Sequence, residues 1–185
     1  MAGTTTVAVF CGASPGHDPR HGAAAEAMGR ALARAGMRLV YGGGRVGLMG
    51  RLADGALAEG GTVIGVIPRF LRAREQAHGG IAEMIVTDTI HARKARMVEL
   101  SDAFVSLPGG LGTLDETIEV ITWRQLGLHD KPVVLCDVAG SARAQLSVVD
   151  AAIGMGFARD AARLLFALVD GVEETMALLA ALPRR

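Results

Sequence analysis

The feature that most constrains the fold is the alternation of short apolar runs with longer helical stretches. Runs such as VAVF at 7–10 and PVVLC at 132–136 are continuously apolar, without a polar residue at every second position. Such runs are typical of strands buried on both faces, as in a parallel sheet. Strands that alternate with helices predict an α/β fold, a doubly wound parallel sheet flanked by helices. The chain of 185 residues is long enough for one such domain, so we predict a single domain over 1–185.

The element boundaries follow from the apolar pattern and from helix stop signals such as Gly36. The predicted strands cover 6–12, 37–41, 62–68, 81–88, 102–108, 131–137 and 164–170. The predicted helices cover 18–35, 46–60, 91–101, 113–127 and 141–155, and a last helix ends near 182.

Composition excludes several classes of protein. Hydrophobic residues make up 50% and charged residues 21%, which indicates a folded chain. The net charge of zero argues against nucleic-acid or membrane partners held by bulk charge. No apolar run approaches the roughly 20 residues that span a bilayer, and the N-terminus lacks a basic signal region. We therefore expect a cytoplasmic protein, with Cys11 and Cys136 as buried thiols and no metal site.

Glycine-rich segments follow three of the predicted strands. They are CGASPG at 11–16, YGGGRVG at 41–47 and LPGGLG at 107–112. In doubly wound sheets, ligands bind at the carboxyl ends of the strands, near the point where the strand order reverses. The three segments therefore predict one ligand site at that edge.

The segment GGGRVG at 42–47 is compatible with three interpretations. They are a dinucleotide site, a tight turn for close packing, and a loop beside a nucleotide. A dinucleotide site also needs an acid at the end of the next strand, but that region reads VIGVIPRF. This absence argues against an NAD-dependent oxidoreductase. None of the loops carries the lysine of a P-loop, and a chain with only Lys94 and Lys131 is a poor candidate for pyridoxal-phosphate chemistry.

In LPGGLGTLDETIE at 107–119, the glycines let a ligand approach the backbone, and the helix that follows can bind phosphate through its first amides. The role of Glu116 has two interpretations. It can close a capping box with Thr113 as the N-cap, or it can serve a bound ligand. Asp115 is expected to be solvated. On the preceding predicted helix, Arg93 and Met97 share a face, so Arg93 is expected to be partly buried and to need an anionic partner beside this loop. An ordinary basic helix face is the alternative.

Together these motifs resemble the LOG ("Lonely Guy") family of cytokinin riboside 5'-monophosphate phosphoribohydrolases. The resemblance rests on P-G-G-x-G-T-x-x-E at 108–116, R-K-x-x-M at 93–97, GGGRVGLMG at 42–50 and EVITWRQLGLHDKPV at 119–133. It extends over nearly the whole chain. Members have often been labelled lysine decarboxylases, a label that the scarcity of lysine independently disfavours.

The resemblance implies a Rossmann-like homodimer that cleaves the N-glycosidic bond of a purine nucleoside 5'-monophosphate, with adenine or an N6-modified adenine as the base. The products are the free base and ribose 5-phosphate, and no cofactor is implied. Arg93 and Glu116 match the catalytic pair. The residues expected to bind substrate are Glu75, Lys94, Gly109, Gly110, Leu111, Gly112, Thr113 and Thr122, and those expected near the nucleotide are Ser14, Gly43 and Gly44.

The sequence leaves alternatives open for both the function and the oligomeric state. A non-hydrolytic nucleotide-binding sensor or carrier of the same superfamily would need the glycine loop but not Glu116. The helix ETIEVITWRQLGL carries apolar residues around most of its circumference, and it is either buried within one chain or part of a dimer interface.

Overall fold

The computed structural model describes residues 4–72 and 74–182. Strands and helices alternate along these residues. The strands are β1 (Thr6–Phe10), β2 (Arg38–Tyr41), β3 (Val63–Pro68), β4 (Glu83–Thr87), β5 (Ala103–Ser106), β6 (Val133–Asp137) and β7 (Ala167–Asp170). The helices are α1 (Pro19–Arg34), α2 (Gly47–Ala58), α3 (Ile90–Leu100), α4 (Leu111–Gln125), α5 (Ser141–Gly154) and α6 (Gly171–Ala180).

Every strand and helix expected from the sequence is present, with shifts at the ends. Two short 3₁₀-helices, Arg69–Leu71 and Asp160–Leu165, were not predicted. The second one includes Leu164 and Leu165, which the apolar pattern had assigned to the last strand. That strand begins only at Ala167, because Ala167 is the first residue that pairs with its neighbour β6.

The seven strands form one parallel sheet in the order β4-β3-β2-β1-β5-β6-β7. From β1 the chain first builds outward through β2, β3 and β4, and then returns to add β5, β6 and β7 on the other side of β1. In register, Val7 of β1 lies between Leu39 of β2 and Ala103 of β5. The strand order therefore reverses between β1 and β5, and the crevice at their carboxyl ends is the expected ligand site of such a sheet.

Side chains of β1 show why its apolar run is continuous. Val7 and Val9 pack into a core layer with α1, α2 and α6, whereas Ala8 and Phe10 pack into a second layer with α3, α4 and α5. All four residues are buried. Successive strand residues face opposite sides of the sheet, so a strand covered on both faces has no position for a solvated side chain.

Local sequence signals set the ends of α1. The side chain of Asp18 accepts a hydrogen bond from the Arg20 amide, and Pro19 occupies the first turn, where no amide donor is needed. The helix is followed by Gly36 with a φ of 69°, a left-handed conformation that glycine adopts without a steric cost. Among the described residues, no helix is both long and apolar enough to cross a membrane.

Candidate active site

A cavity of about 590 Å³ opens at the carboxyl ends of β1 and β5. It is lined by the loop after β1, the beginnings of α2, α3 and α4, and the glycine loop after β5. The loops after β1 and β5 are joined directly, since the Gly12 amide donates to the Pro108 carbonyl at 3.0 Å. The predicted position of the ligand site at this edge of the sheet agrees with the cavity.

The start of α4 differs from the sequence prediction. The helix begins at Leu111, with Gly110 as an extended N-cap that has no side-chain cap, and the Leu114 amide bonds the Gly110 carbonyl at 3.0 Å. Thr113 is therefore not the N-cap, and Glu116 lies in the second turn of the helix. The interpretation of Glu116 as part of a capping box is wrong, because a capping box requires its acid at the third helical position.

The glycines of this loop have different surroundings. A β-carbon at Gly109 would lie 2.1 Å from Oγ1 of buried Thr113 and 2.9 Å from the Gly12 nitrogen, so a side chain has no room there. A β-carbon at Gly110 or Gly112 would meet no protein atom within 4 Å apart from those of its own chain segment. Gly109 is thus required by packing within the protein, whereas Gly110 and Gly112 leave open space at the cavity wall.

Arg93 and Glu116 form a buried ion pair at the cavity. Nη2 of Arg93 lies 3.0 Å from Oε1 of Glu116, and the two side chains are only 8% and 11% exposed. Arg93 stands in the first turn of α3, whose N-cap Thr89 accepts a hydrogen bond from the Ala92 amide. Arg93 and Met97 are both buried, as predicted, and the anionic partner of Arg93 is Glu116. Nε of Arg93 is buried without a hydrogen-bond partner among the described residues.

Burial raises the pKa of Glu116 from its ordinary value of 4.5 to about 7. Arg93 acts in the opposite direction, but the negative charges of Glu75 and Asp115 add to the rise. Desolvation disfavours the charged form of a carboxyl group, and nearby like charges do the same. A carboxyl group with a pKa near 7 can exchange a proton at neutral pH, which is a property of general acids and bases.

Lys94, the neighbour of Arg93, is also buried. Its Nζ lies 3.1 Å from Oδ2 of Asp115 and 3.1 Å from Oε2 of Glu119. Burial lowers the pKa of Lys94, but hydrogen bonds to these two carboxylates outweigh it and raise the pKa above its ordinary value. Asp115 was expected to be solvated. Its side chain is 59% exposed, yet it is paired with Lys94.

Glu75 reaches the cavity from the segment between the first 3₁₀-helix and β4. Its Oε2 is buried and has no hydrogen-bond partner among the described residues. Burial raises the pKa of Glu75, and the charge of Arg93 partly offsets this rise. The sequence resemblance pointed to Glu75, and the structure brings it into the same cavity as Arg93 and Glu116.

The remaining predicted positions divide into two groups. Ser14, Gly109 and Thr113 line the cavity, as do Gly110 and Gly112. Gly43 and Gly44 do not line it: added β-carbons there would meet Met84 and Glu75, so these glycines serve the close packing of the loops.

Two further predicted positions also lie outside the cavity of their own chain. The side chain of Leu111 is 85% exposed. Thr122 is exposed as well, and its hydroxyl donates to the Ile118 carbonyl.

Sequence reasoning missed several residues of the cavity wall, namely Cys11, His21, Met49, Ile90 and Ser141. Their positions at the ends of predicted strands or the beginnings of predicted helices were the available signal. Cys11 is a free, buried thiol, and burial raises its pKa far above the ordinary range. In the described part of the chain, no three His, Cys, Asp or Glu residues are grouped so as to hold a metal ion.

Comparisons with known proteins agree with this architecture. A family model described as "Possible lysine decarboxylase" matches residues 49–179. A cytokinin riboside 5'-monophosphate phosphoribohydrolase from Rhodococcoides fascians is 50% identical over 175 residues, which are 94% of this chain and 88% of the relative. An enzyme of the same name from Arabidopsis thaliana is 44% identical over 168 residues, covering 91% of this chain and 79% of the relative.

Among solved structures, the molybdenum cofactor binding protein of Rippkaea orientalis superposes with a TM-score of 0.74 at 21% sequence identity. The superposition covers 98% of each chain. At this level of identity the similarity concerns the fold, which is Rossmann-like in both chains.

Proposed function

This chain belongs to the family of cytokinin riboside 5'-monophosphate phosphoribohydrolases, and we propose that Arg93 and Glu116 are the residues with which it acts. It is an N-glycosyl hydrolase that releases a free base and ribose 5-phosphate from a purine nucleoside 5'-monophosphate. The assignment of Arg93 and Glu116 is supported by their buried ion pair, which lies at the cavity between the glycine loop and α3.

Cleavage of an N-glycosidic bond develops positive, oxocarbenium-like charge on the ribose. A carboxylate close to the anomeric carbon stabilises that charge, and it can also accept a proton from the attacking water. Glu116 suits both tasks, since its raised pKa of about 7 lets it accept a proton at neutral pH. Arg93 donates to Glu116, and this hydrogen bond orients the carboxylate.

The first amides of α4 are suited to the 5'-phosphate. The helix has no side-chain cap, so its amides stay available to a ligand at the positive end of the helix dipole. Gly110 and Gly112 leave room for that ligand, because no protein atom lies where their side chains would be. Lys94 stands at the same wall, paired with Asp115 and Glu119. Binding energy from the phosphate, which does not react, then contributes to lowering the barrier at the anomeric carbon.

The rival function is a non-hydrolytic nucleotide carrier. The similarity in fold to a molybdenum cofactor binding protein does not decide between the two, since fold alone does not specify function. The buried carboxylate favours hydrolysis. Burying Glu116 costs free energy even beside Arg93, and a protein that only binds an anionic nucleotide gains nothing from a negative charge in its site.

A homodimer completes the proposal. On α4, Val120 and Ile121 are buried, but Ile118 is 39% exposed, and Leu126, the residue that follows the helix, is 67% exposed. Complete burial of this helix within one chain is therefore wrong, and an apolar strip remains available for a second copy. Thr122 belongs to this exposed part of α4, so any contact of Thr122 with substrate would occur across such an interface.

The decisive experiment is to incubate the purified protein separately with AMP, GMP, CMP and isopentenyladenosine monophosphate and to quantify the released base by chromatography. We expect release from a purine nucleotide, and the ratio of rates between AMP and the prenylated nucleotide gives the base preference. Tight binding of these nucleotides without any released base would establish the carrier instead.

A further inference from the structure

The position of Glu75 at the cavity is not set by contacts of its own side chain. Its Oε2 is buried and unpartnered among the described residues, and no ion pair involving Glu75 is formed within them. Burial and the like charge of Glu116 disfavour the Glu75 carboxylate at this place, and the charge of Arg93 offsets the effect of burial only in part. The position of Glu75 therefore depends on the turn that carries it.

That turn is bonded to the loop after β2. The Arg45 amide donates to the carbonyls of Glu75 and Gln76, both at 3.0 Å, and the His78 amide donates to the Gly43 carbonyl at 2.9 Å. Between these two attachments, Gln76 has a φ of 47°. The left-handed conformation is unfavourable for a residue with a side chain, so contacts on both sides must maintain it.

The His78 side chain is one of those contacts. The ring is buried, and its Nδ1 accepts a hydrogen bond from the Gly80 amide at 3.1 Å. Nε2 therefore carries the hydrogen and donates to Oδ1 of Asp54 at 3.0 Å. Asp54 belongs to α2 and is itself 62% exposed. His78 thus connects the turn to a rigid helix of the core.

We propose that His78 is a positioning residue: held by Asp54 and Gly80, it fixes the turn that presents the Glu75 carboxylate to the substrate. A carboxylate at this position accepts hydrogen bonds from sugar hydroxyls or from an exocyclic amino group of the base. His78 and Asp54 do not line the cavity and contact no substrate themselves. The inference rests on the proposed function, because it assigns Glu75 to binding of the nucleotide.

Asp54→Ala is the principal test, since it removes the partner of His78 at an exposed helical position where alanine is well tolerated. Loss of a hydrogen bond to a charged group should raise KM for the nucleotide about five-fold and leave kcat within about two-fold. Glu75→Gln should raise KM similarly, and the double variant should resemble Glu75→Gln alone, because both changes act through one carboxylate. Additive effects in the double variant would overturn the proposal.

Two further variants separate positioning from general destabilisation. His78→Gln should leave KM close to the wild-type value, since a glutamine amide can replace Nε2 as the donor to Asp54. Asp150→Ala is the matched control: Asp150 is also an ion-paired acid on a helix, but it belongs to α5 on the opposite face of the sheet. A rise in KM for Asp150→Ala equal to that for Asp54→Ala would also overturn the proposal.

Hydrogen exchange tests the anchor without any substrate. In Asp54→Ala, amides of residues 74–80 should exchange about ten-fold faster, while those of β1 and β5 should be unchanged. Unchanged exchange in 74–80 would refute the positioning role regardless of activity. If the wild-type protein releases no base from any nucleotide, the proposed function fails, and faster exchange would still support His78 as the anchor of the Glu75 turn.

Discussion

Nη2 of Arg93 lies 3.0 Å from Oε1 of Glu116, and the two buried side chains join α3 to α4 beside the cavity. Neither side chain is stable there alone, since an unpaired charge in a protein interior is strongly unfavourable. The pair orients Glu116, while burial keeps this carboxyl group only weakly acidic, with a pKa of about 7. This is the state that a carboxylate needs if it is to accept a proton and to stabilise a developing positive charge.

Glu116→Gln should reduce base release by at least about 100-fold, because the amide neither accepts a proton nor carries the charge that stabilises the ribose cation. Far-UV circular dichroism should be unchanged, as the side-chain shape is conserved. Chromatography of released base measures the effect. Glu99→Gln, at an exposed acid on α3, is the control and should retain wild-type activity. Undiminished base release in Glu116→Gln would disprove the assignment.

The acid limb of kcat/KM should lie near pH 7, because the proposed mechanism uses the carboxylate form of Glu116, whose pKa is about 7 in the free protein. Activity is expected to rise with pH through this range. Glu75 raises the pKa of Glu116 by its negative charge, so Glu75→Gln should move the acid limb to lower pH. Rates over pH 5–9 measure the midpoint. A midpoint near pH 4.5 in the wild-type protein would contradict the raised pKa.

Glu116→Gln should also change how stability depends on pH. The folded-state pKa of Glu116 is raised above its ordinary value, so the unfolded state loses this proton first as the pH rises. Wild-type stability therefore falls between about pH 4.5 and about pH 7, by on the order of 3 kcal/mol, and levels off above.

The glutamine variant lacks this titration. Its free energy of unfolding relative to the wild type should be constant below about pH 4.5, increase up to about pH 7 and then level off. Urea unfolding at several pH values measures the difference. A difference that does not vary with pH would show that burial leaves Glu116 with its ordinary acidity.

Gly109→Ala and Gly112→Ala should fail in different ways. The β-carbon at Gly109 would lie 2.1 Å from Oγ1 of Thr113, so this variant should lose stability, by about 1–3 kcal/mol, as well as activity. The β-carbon at Gly112 meets no protein atom within 4 Å apart from those of its own chain segment. Gly112→Ala should therefore keep its melting temperature but raise KM by obstructing the phosphate. Thermal unfolding and kinetics separate the two outcomes, and an unchanged KM in Gly112→Ala would count against the phosphate site.

Leu126→Arg should convert a dimer into a monomer, because it places a charge at the C-terminal end of α4, in the exposed apolar strip that includes Ile118. Val148→Arg is the control, since Val148 is also exposed but lies on α5. Light scattering at micromolar concentration gives the mass of each variant. A monomeric wild-type protein would contradict the proposed interface.

Much of the fold could be read from the sequence. Continuously apolar runs identified the strands of a sheet covered on both faces, and Asp18 and Gly36 marked the ends of α1 through bonds and dihedral angles that are local to the chain. The position of the cavity also followed, since the glycine-rich segments come after β1, β2 and β5. These features depend on residues close together in sequence.

Other features were decided only by the tertiary structure. Thr113 and Glu116 have the spacing of a capping box, but the helix begins earlier, at Leu111, and Thr113 packs against Gly109. Glu116 therefore pairs with Arg93 and not with the start of the helix. Thr122 shares the helix of Glu116 and yet lies outside the cavity.

The acidity of Glu116 and the position of Glu75 likewise needed the assembled chain. The sequence by itself determined the strands, the helices and the edge of the sheet where the cavity opens, because periodicity, caps and glycine turns act within a few residues. It did not determine the pairing of Arg93 with Glu116 or the anchoring of the Glu75 turn by His78 and Asp54. Burial and like charges shift the pKa of Glu116 only when separate segments meet around it.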